Sequence, residues 1–330
     1  MAEYLTNTAD LTAVANAIRA KGGTSAQLIY PSGFVSAIQA IQTGITPKLV
    51  VTTTPGAAIT ATPAEGFKVV KGTAGADGMC TLELPKAGTW HVTAMANSVS
   101  NSQNIVIGTQ NMLLPLYHDT FADNTWEEII AVCRTGIAPD SWAVGDSKTM
   151  NIGGTAYQVD IIGKNHDEYA DGSGTAPLTF QLHDCYSEAK QMYSTNLSGL
   201  GWKNTDMRLT YLPAILALMP AEVQNGIRAV NKKTSEGGNS TTIETVSDTL
   251  FLLSEVEIFG TASSSVAGEG SQYDYYKAGN PKIKKREGVD EFWWERSSAS
   301  GGMFCRVRAN GQAGASNASS SLGVSFAFCF

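Results

Sequence analysis

At 330 residues the chain is too long for one ordinary core, and a prior of about 150 residues per domain implies two or three compact units. Its 43% hydrophobic and 16% charged residues, with 33 glycines and abundant Ser, Thr, Ala and Asn, suit short strands and many turns and disfavour the helix-rich classes. A formal charge of −7 and a pI near 5.2 leave no basic field to gather phosphates, so nucleic acid is not an expected partner; the one basic run, Lys282 to Arg286, reads as a solvated loop or edge strand.

The opening residues Met1 to Tyr4 carry no cationic region followed by an apolar stretch, and no uninterrupted apolar run of about 18 residues occurs. The expectation is a protein made in the cytosol that stays soluble, without membrane insertion, unless it leaves on a particle or by lysis. Cys80, Cys133, Cys185, Cys305 and Cys329 are odd in number, widely spaced and lack a Cys-x-x-Cys pair, which favours buried thiols over zinc ligands. Cys305 and Cys329 fall where neighbouring strands would carry them, and spacing alone leaves a disulfide open.

Residues 1–44 contain two amphipathic stretches. Leu11, Val14, Ala15 and Ile18 recur at helical spacing, as do Phe34, Val35, Ile38 and Ile41, with Asp10 and Ser32 as N-caps and Gly22-Gly23 and Gly44 as stops. So small a helical unit buries too little apolar surface to stand alone and is expected to associate with copies of itself or a partner. On Tyr4-Leu5-Thr6 and Ala37-Ile38 it resembles N-terminal segments that attach tail proteins to phages of Gram-positive bacteria; an ordinary helical hairpin is the other reading.

Over residues 45–112 the period becomes two. Lys48–Thr52, Ala57–Ala61, Lys68–Val70, Cys80–Leu84, Thr89–Ala94 and Asn104–Ile107 are each bounded by Gly, Pro, Asp or Asn, as short antiparallel strands require. The run from Ala76-Asp77-Gly78 through Cys80–Pro85 to Gly88–Ala94 resembles immunoglobulin-like modules related to the carboxypeptidase regulatory domain, which implies an Ig-like β-sandwich acting as a spacer. His91, beside Trp90 on an alternating strand, reads as a sheet residue rather than a ligand. Residues 113–125 read as a connector.

The third region, 113–330, opens with a helix over Trp126–Arg134, capped at Asn124-Thr125 with acidic residues in its first turn. Met150–Gly163 reads as two strands around the Gly153-Gly154 turn, Thr179–Asp184 as a third, and the sheet as antiparallel. A second helix opens at Asn204–Arg208 and is kinked or restarted at Pro213; a third runs from Pro220 to Val230. Thr234–Thr242 reads as a polar loop, Thr249–Ser254 as a fully buried strand, and Val256–Gly260 as a further apolar run. The domain is α+β with a mostly antiparallel sheet.

Five ordered motifs then carry a resemblance over roughly 120–330: Trp142-x-x-Gly145-Asp146, Ile161-Ile162-Gly163-x-Asn165-His166-Asp167, Gly201–Arg208, Leu250–Ser254 with Glu257-Ile258-x-Gly260, and Trp293-Trp294-x-Arg296-Ser297. They are similar to an uncharacterised domain family of bacterial surface and phage tail proteins. That family resembles the C-type-lectin-like fold shared by formylglycine-generating enzymes and the variable proteins of diversity-generating retroelements, a class that includes the phage major tropism determinant. The likeness to the variable proteins rests on Trp294–Ser297, Phe304-Cys305-x-Val307, Asn310-Gly311 and Gly323-Val324-x-x-Ala327-Phe328. Ser325-Phe326 stand where that family places Arg or Ala before Pro.

Between Ser297 and Ser321, 18 of the 25 residues are Ser, Ala, Gly or Asn. Aromatic and apolar positions alternate with these small polar ones, which would project outward and change at little cost to stability. Within a variable region of about 290–330, the resemblance implies ligand contacts from Ser298, Ala299, Ser300, Gly301, Gly302, Arg306, Arg308, Asn310, Gln312, Ala313, Gly314, Ala315 and Ser316. Trp293, Trp294, Phe304, Gly323 and Val324 are the expected scaffold. A retroelement that mutates adenines would leave such a composition behind. The apolar terminus Val324–Phe330 should be paired in a sheet, whereas a flexible Ser/Gly linker is the competing reading of the segment before it.

Other chemistry is weaker. His166-Asp167-Glu168, Asp171 and His183-Asp184-Cys185 form the densest set of metal-type ligands, but no helix-spaced pair or regular acidic loop supports a metal, and turn-capping explains them. No nucleophile elbow, phosphate loop or dinucleotide fingerprint occurs. The expected architecture is therefore multidomain α+β: a helical attachment or oligomerisation segment at 1–44, an Ig-like β-sandwich at 45–112, and a C-type-lectin-like ligand-binding domain at 113–330. The expected function is that of a non-enzymatic phage or prophage tail receptor-binding protein, located in the virion tail and homotrimeric. It needs no cofactor or metal, and its partners are a host cell-surface protein or glycan and other tail or baseplate proteins. A bacterial adhesin, a non-variable structural tail protein and, more remotely, a formylglycine-generating-type enzyme are the alternatives.

Overall fold

The computed structural model describes residues 8–22, 47–64, 68–107, 110–238 and 240–330. They fall into two compact units, Met1–Tyr117 and His118–Phe330, divided inside the segment read as a connector. The architecture is mixed and mostly β, with several small sheets.

In the first unit, helix α1 spans Thr8–Gly22, beginning two residues before the Asp10 expected to cap it and ending at the glycine expected to stop it. Ala15 and Ile18 are buried, whereas Val14 is 46% exposed and so does not share their face. The second helix expected around Phe34–Ile41 lies outside the described residues.

Seven strands follow: β1 Lys48–Thr52, β2 Ala58–Pro63, β3 Val70–Thr73, β4 Met79–Glu83, β5 Gly88–Ala96, β6 Val99–Ile107 and β7 Gln110–Leu113. They form sheets of order β4-β1-β7 and β3-β2-β5-β6. All pairs are antiparallel except β1 with β7, a strand the sequence reading stopped short of. Alternation places Leu49 and Val51 of the first sheet and Ile59, Trp90, Val92 and Ala94 of the second in one apolar core, so the two sheets form a sandwich. His91 points outward from β5 and bonds Asn104 across the strand pair at 2.8 Å.

In the second unit, helix α2 spans Trp126–Cys133 because Thr125 and Glu128 close a capping box at its start. Strands β8 Ser147–Ile152 and β9 Thr155–Lys164 meet at Gly153-Gly154, whose φ angles of 59° and 87° fit a two-residue hairpin turn. Strand β10 is Leu178–Leu182. Met207–Tyr211 forms a π turn running into α3 Leu212–Leu216, so the expected second helix is real but starts irregularly. Helix α4 is only Ala221–Gly226, with Pro220 at its N-cap.

The polar loop expected at Thr234–Thr242 lies mostly between the strands of a hairpin, β11 Val230–Ser235 and β12 Ile243–Asp248, which the sequence reading did not anticipate. The buried run after Thr249 keeps only a two-residue strand, β13 Leu250–Phe251. Val256–Phe259 then lies in helix α5 Glu255–Phe259, because Ser254 and Glu257 form a second capping box. Helix α6 is Asp274–Lys277, and β14 Lys284–Arg286 pairs with β15 Val289–Glu291.

The chain ends with β16 Trp293–Ser298, β17 Met303–Val307, β18 Ala313–Asn317 and β19 Ala327–Cys329. Strands β16-β17-β18 form their own sheet, whereas β19 inserts between β13 and β10 in the five-stranded sheet β13-β19-β10-β9-β8. The apolar terminus is thus paired on both sides, as its composition requires. Phe180 of β10 stacks on Phe328 at 5.3 Å between ring centroids, and the Tyr169 hydroxyl donates to the Phe330 carbonyl at 2.5 Å. Among the described residues no helix is long and apolar enough to cross a membrane.

Candidate ligand-binding face

The β16-β17-β18 sheet is held by large side chains. Trp293 pairs with Val307 and Trp294 with Arg306, and after an irregularity Ser298 pairs with Phe304. Trp293, Trp294, Phe304 and Val324 are buried, and the two indoles donate to the carbonyls of Lys282 and Lys190 at 2.9 and 2.8 Å. Gly323 is equally constrained, since a Cβ there would lie 2.6 Å from Cys185 Sγ and 3.1 Å from the Phe292 carbonyl. All five residues expected to be scaffold are interior.

The expected contact residues divide. Ser300, Gly301, Arg308, Asn310 and Gln312 are exposed, and Gly302, Arg306, Ala313, Ala315 and Ser316 are half-buried. Ser298 and Ala299 are not available: they are 1% and 3% exposed, because Ser298 faces Phe304 and the Ala299 carbonyl accepts Ser198 Oγ at 2.8 Å. Gly314 is also buried, lying under the Arg308 side chain. The segment around Asn196–Ser198 that covers this side is a hundred residues away in sequence, so alternation alone gave no sign of it.

The register separates the rest into two clusters. Ser300–Gly302 form the turn entering β17 and lie near Ser316, while Arg308–Gln312 form the turn leaving it and lie near Ala313-Gly314. These turns occupy opposite ends of a five-residue strand, roughly 15 Å apart. At the second end, Arg306 lies over the Phe292 ring, 4.3 Å from its centroid, and donates through Nε to the Ala315 carbonyl at 3.3 Å. Arg308 donates through Nε to the Ala313 carbonyl at 3.1 Å.

Beneath this sheet lies an ionic core. The Arg296 guanidinium is fully buried, forks onto Glu257 and donates to the carbonyls of Leu252, Lys233 and Glu269. Glu257 also pairs with Lys232 at 2.7 Å, and Lys232 with Asp167 at 2.6 Å. Tyr273 and Thr179 hydroxyls complete the Asp167 carboxylate at 2.8 and 2.6 Å. Burial acts to raise both acids, but Lys232 and its hydrogen bonds bring Asp167 down to about 2, and Arg296 with Lys232 holds Glu257 below the usual range. Glu295 is the opposite case. Burial, then repulsion from Glu255 and Glu269, holds its carboxyl well above the usual range, and neither oxygen has a hydrogen-bond partner within the protein.

Residues 179–330 match a family model described as a domain of unknown function, DUF6273. No curated protein and no solved structure matches the chain. The DUF6273 span begins within β10 and takes in β11 to β19, hence the whole candidate face, Lys232, Glu257 and Arg296. It leaves out α2, β8 and β9, although β9 is a hydrogen-bonded neighbour of β10, and it leaves out Asp167.

The clustered His and Asp residues just before and at the start of the DUF6273 span do not form one site. His183 bonds Asp160 at 2.7 Å beyond one end of β10, and this bond raises its pKa. His166 lies beyond the other end, stacked on Tyr273 at 3.9 Å, with its pKa lowered by burial. Among the described residues no three His, Cys, Asp or Glu side chains are grouped to hold a metal ion. The sequence reading missed a cavity of about 450 Å³ lined by His166, Glu168, Asn231 and Thr245, with Asp167, Lys232 and Glu257 at its floor. Its lining comes from three distant segments, and its floor is already paired internally. All five cysteines are free and buried, and burial raises Cys133 and Cys185 to about 12, so these thiols are not poised as nucleophiles.

Proposed function

We propose that the chain is a phage tail receptor-binding protein whose second unit, a C-type-lectin-like domain, presents the β17–β18 face to a host cell-surface protein or glycan. On this reading the first sandwich is an Ig-like spacer, and the N-terminal segment joins three copies to one another and to other tail or baseplate proteins. The supporting observation is the division of labour in the last sheet. Small exposed residues at Ser300, Gly301, Asn310 and Gln312 sit on turns of strands whose inner side chains are locked by Trp293, Trp294 and Phe304. Recognition by replaceable residues on a rigid frame needs this arrangement.

The test is adsorption of the fluorescently labelled full chain to a panel of Gram-positive bacteria. Ser300→Trp with Gln312→Trp should abolish adsorption to any strain the wild type binds, with an unchanged melting temperature, because both positions face solvent. Adsorption at the wild-type level in that variant would reject the face.

A further inference from the structure

Among the described residues, four of the second unit's seven arginines, Arg208, Arg228, Arg286 and Arg296, form an ion pair with a carboxylate, as does Lys232. Arg306 and Arg308, adjacent on one side of the last sheet, form none among the described residues. Their Nε atoms are tied to the carbonyls of alternate β18 residues, Ala315 and Ala313. Phe292 supports the first guanidinium, and the second crosses the sheet at Gly314, where a Cβ would come within 2.8 Å of Arg308 Nε. The Arg306 Nη1 nitrogen is buried without a hydrogen-bond partner.

We propose that Arg306 and Arg308 form an oxyanion site that takes a carboxylate or phosphate group of the ligand, with Phe292 as its apolar rim. The inference rests on reading this sheet as the binding face and names the chemistry that the face selects. Two like charges held side by side repel each other, and burial further opposes the charge on Arg306. An oxyanion between them offsets both effects. A guanidinium whose Nε is already fixed by the backbone loses little further freedom when its remaining edge meets two oxygens.

The experiment is binding of the purified full chain to immobilised polygalacturonate, polyphosphate and neutral dextran by interferometry. The wild type should bind at least one polyanion and not dextran; carboxylate-only or phosphate-only binding identifies the group. Arg306→Gln with Arg308→Gln should weaken binding by at least about tenfold. Lys68→Gln with Lys71→Gln, which removes the same charge from the first unit, should leave it unchanged. If that arginine variant fails to fold, Arg306→Lys with Arg308→Lys decides, since it keeps the charge and loses the fork; it should bind more weakly than the wild type. Failure of the wild type to bind either polyanion, or equal loss in the Lys68 and Lys71 variant, overturns the proposal. Adsorption to cells that is blocked at Ser300 and Gln312 without any polyanion binding would remove the oxyanion site and leave the receptor reading standing. Polyanion binding without adsorption to any cell would do the reverse.

Discussion

In the first unit Leu82, Trp90 and Val92 meet other apolar side chains, and among its described residues Thr53 is the only buried polar side chain. In the second unit Asp167, Lys232, Glu257, Glu269, Glu295 and Arg296 are all interior. Apolar burial is non-directional and tolerates repacking at roughly constant volume. Buried charge is costly to desolvate and stable only in one geometry. The first core constrains volume, whereas the second also constrains the geometry of the groups that meet in it.

The comparison is broken most directly at Arg296. Replacing it by Met removes one of the two cations on Glu257 and the Arg296 hydrogen bonds to the carbonyls of Leu252, Lys233 and Glu269, of which the last keeps the Ser254 hydroxyl. The expected cost is about 3–5 kcal/mol, the range for removing one partner of a buried pair. Urea unfolding followed by tryptophan fluorescence measures it, and a cost below about 1 kcal/mol would mean that the ionic core is incidental to the fold.

Glu295 sharpens the same contrast through pH. Its folded-state carboxyl is held above the unfolded value, so its contribution is fully present below the ordinary carboxylate range and is lost as pH rises through the folded value. Asp167 and Glu257 have the opposite sign: depressed in the folded state, they stabilise above the ordinary range and lose that contribution as pH falls. Glu295→Gln cannot ionise. Between pH 4 and pH 8 it should gain on the wild type by up to about 1.4 kcal/mol for each pH unit between the ordinary and folded values. Parallel stability curves for the two proteins would show that Glu295 is not held neutral.

Much of the β framework was legible because short alternating runs and glycine turns act locally: β1, the β8–β9 hairpin and the paired terminus all followed from pattern. The β11–β12 hairpin did not, because Thr234 and Ser235 are buried by bonds to Glu269 rather than by apolarity. Helix α5 had a readable signal, the Ser254-x-x-Glu257 capping box, which the apolar run after it obscured. The face was legible as composition but not as geometry. The Ala299 carbonyl is covered by Ser198, 101 residues away, and the pairing of Asp167 with Lys232 spans 65 residues.

The smallest expected effect is also the finest test of which turn residues are free to change. Ser300 is exposed, so Ser300→Tyr should alter stability by no more than about 0.5 kcal/mol. Gly302, two residues on, has a φ of 76°, and a Cβ there would lie 2.5 Å from the Asn196 carbonyl oxygen, a backbone atom that cannot swing aside. Gly302→Ala should therefore cost about 1–3 kcal/mol, although it adds a single methyl group. Thermal melting of the two variants separates the cases. Equal effects would place both residues in one tolerant loop, whereas the expected inequality makes Gly302 part of the frame, with Gly301 also constrained by its φ of 67° and replaceable chemistry at this turn confined to Ser300.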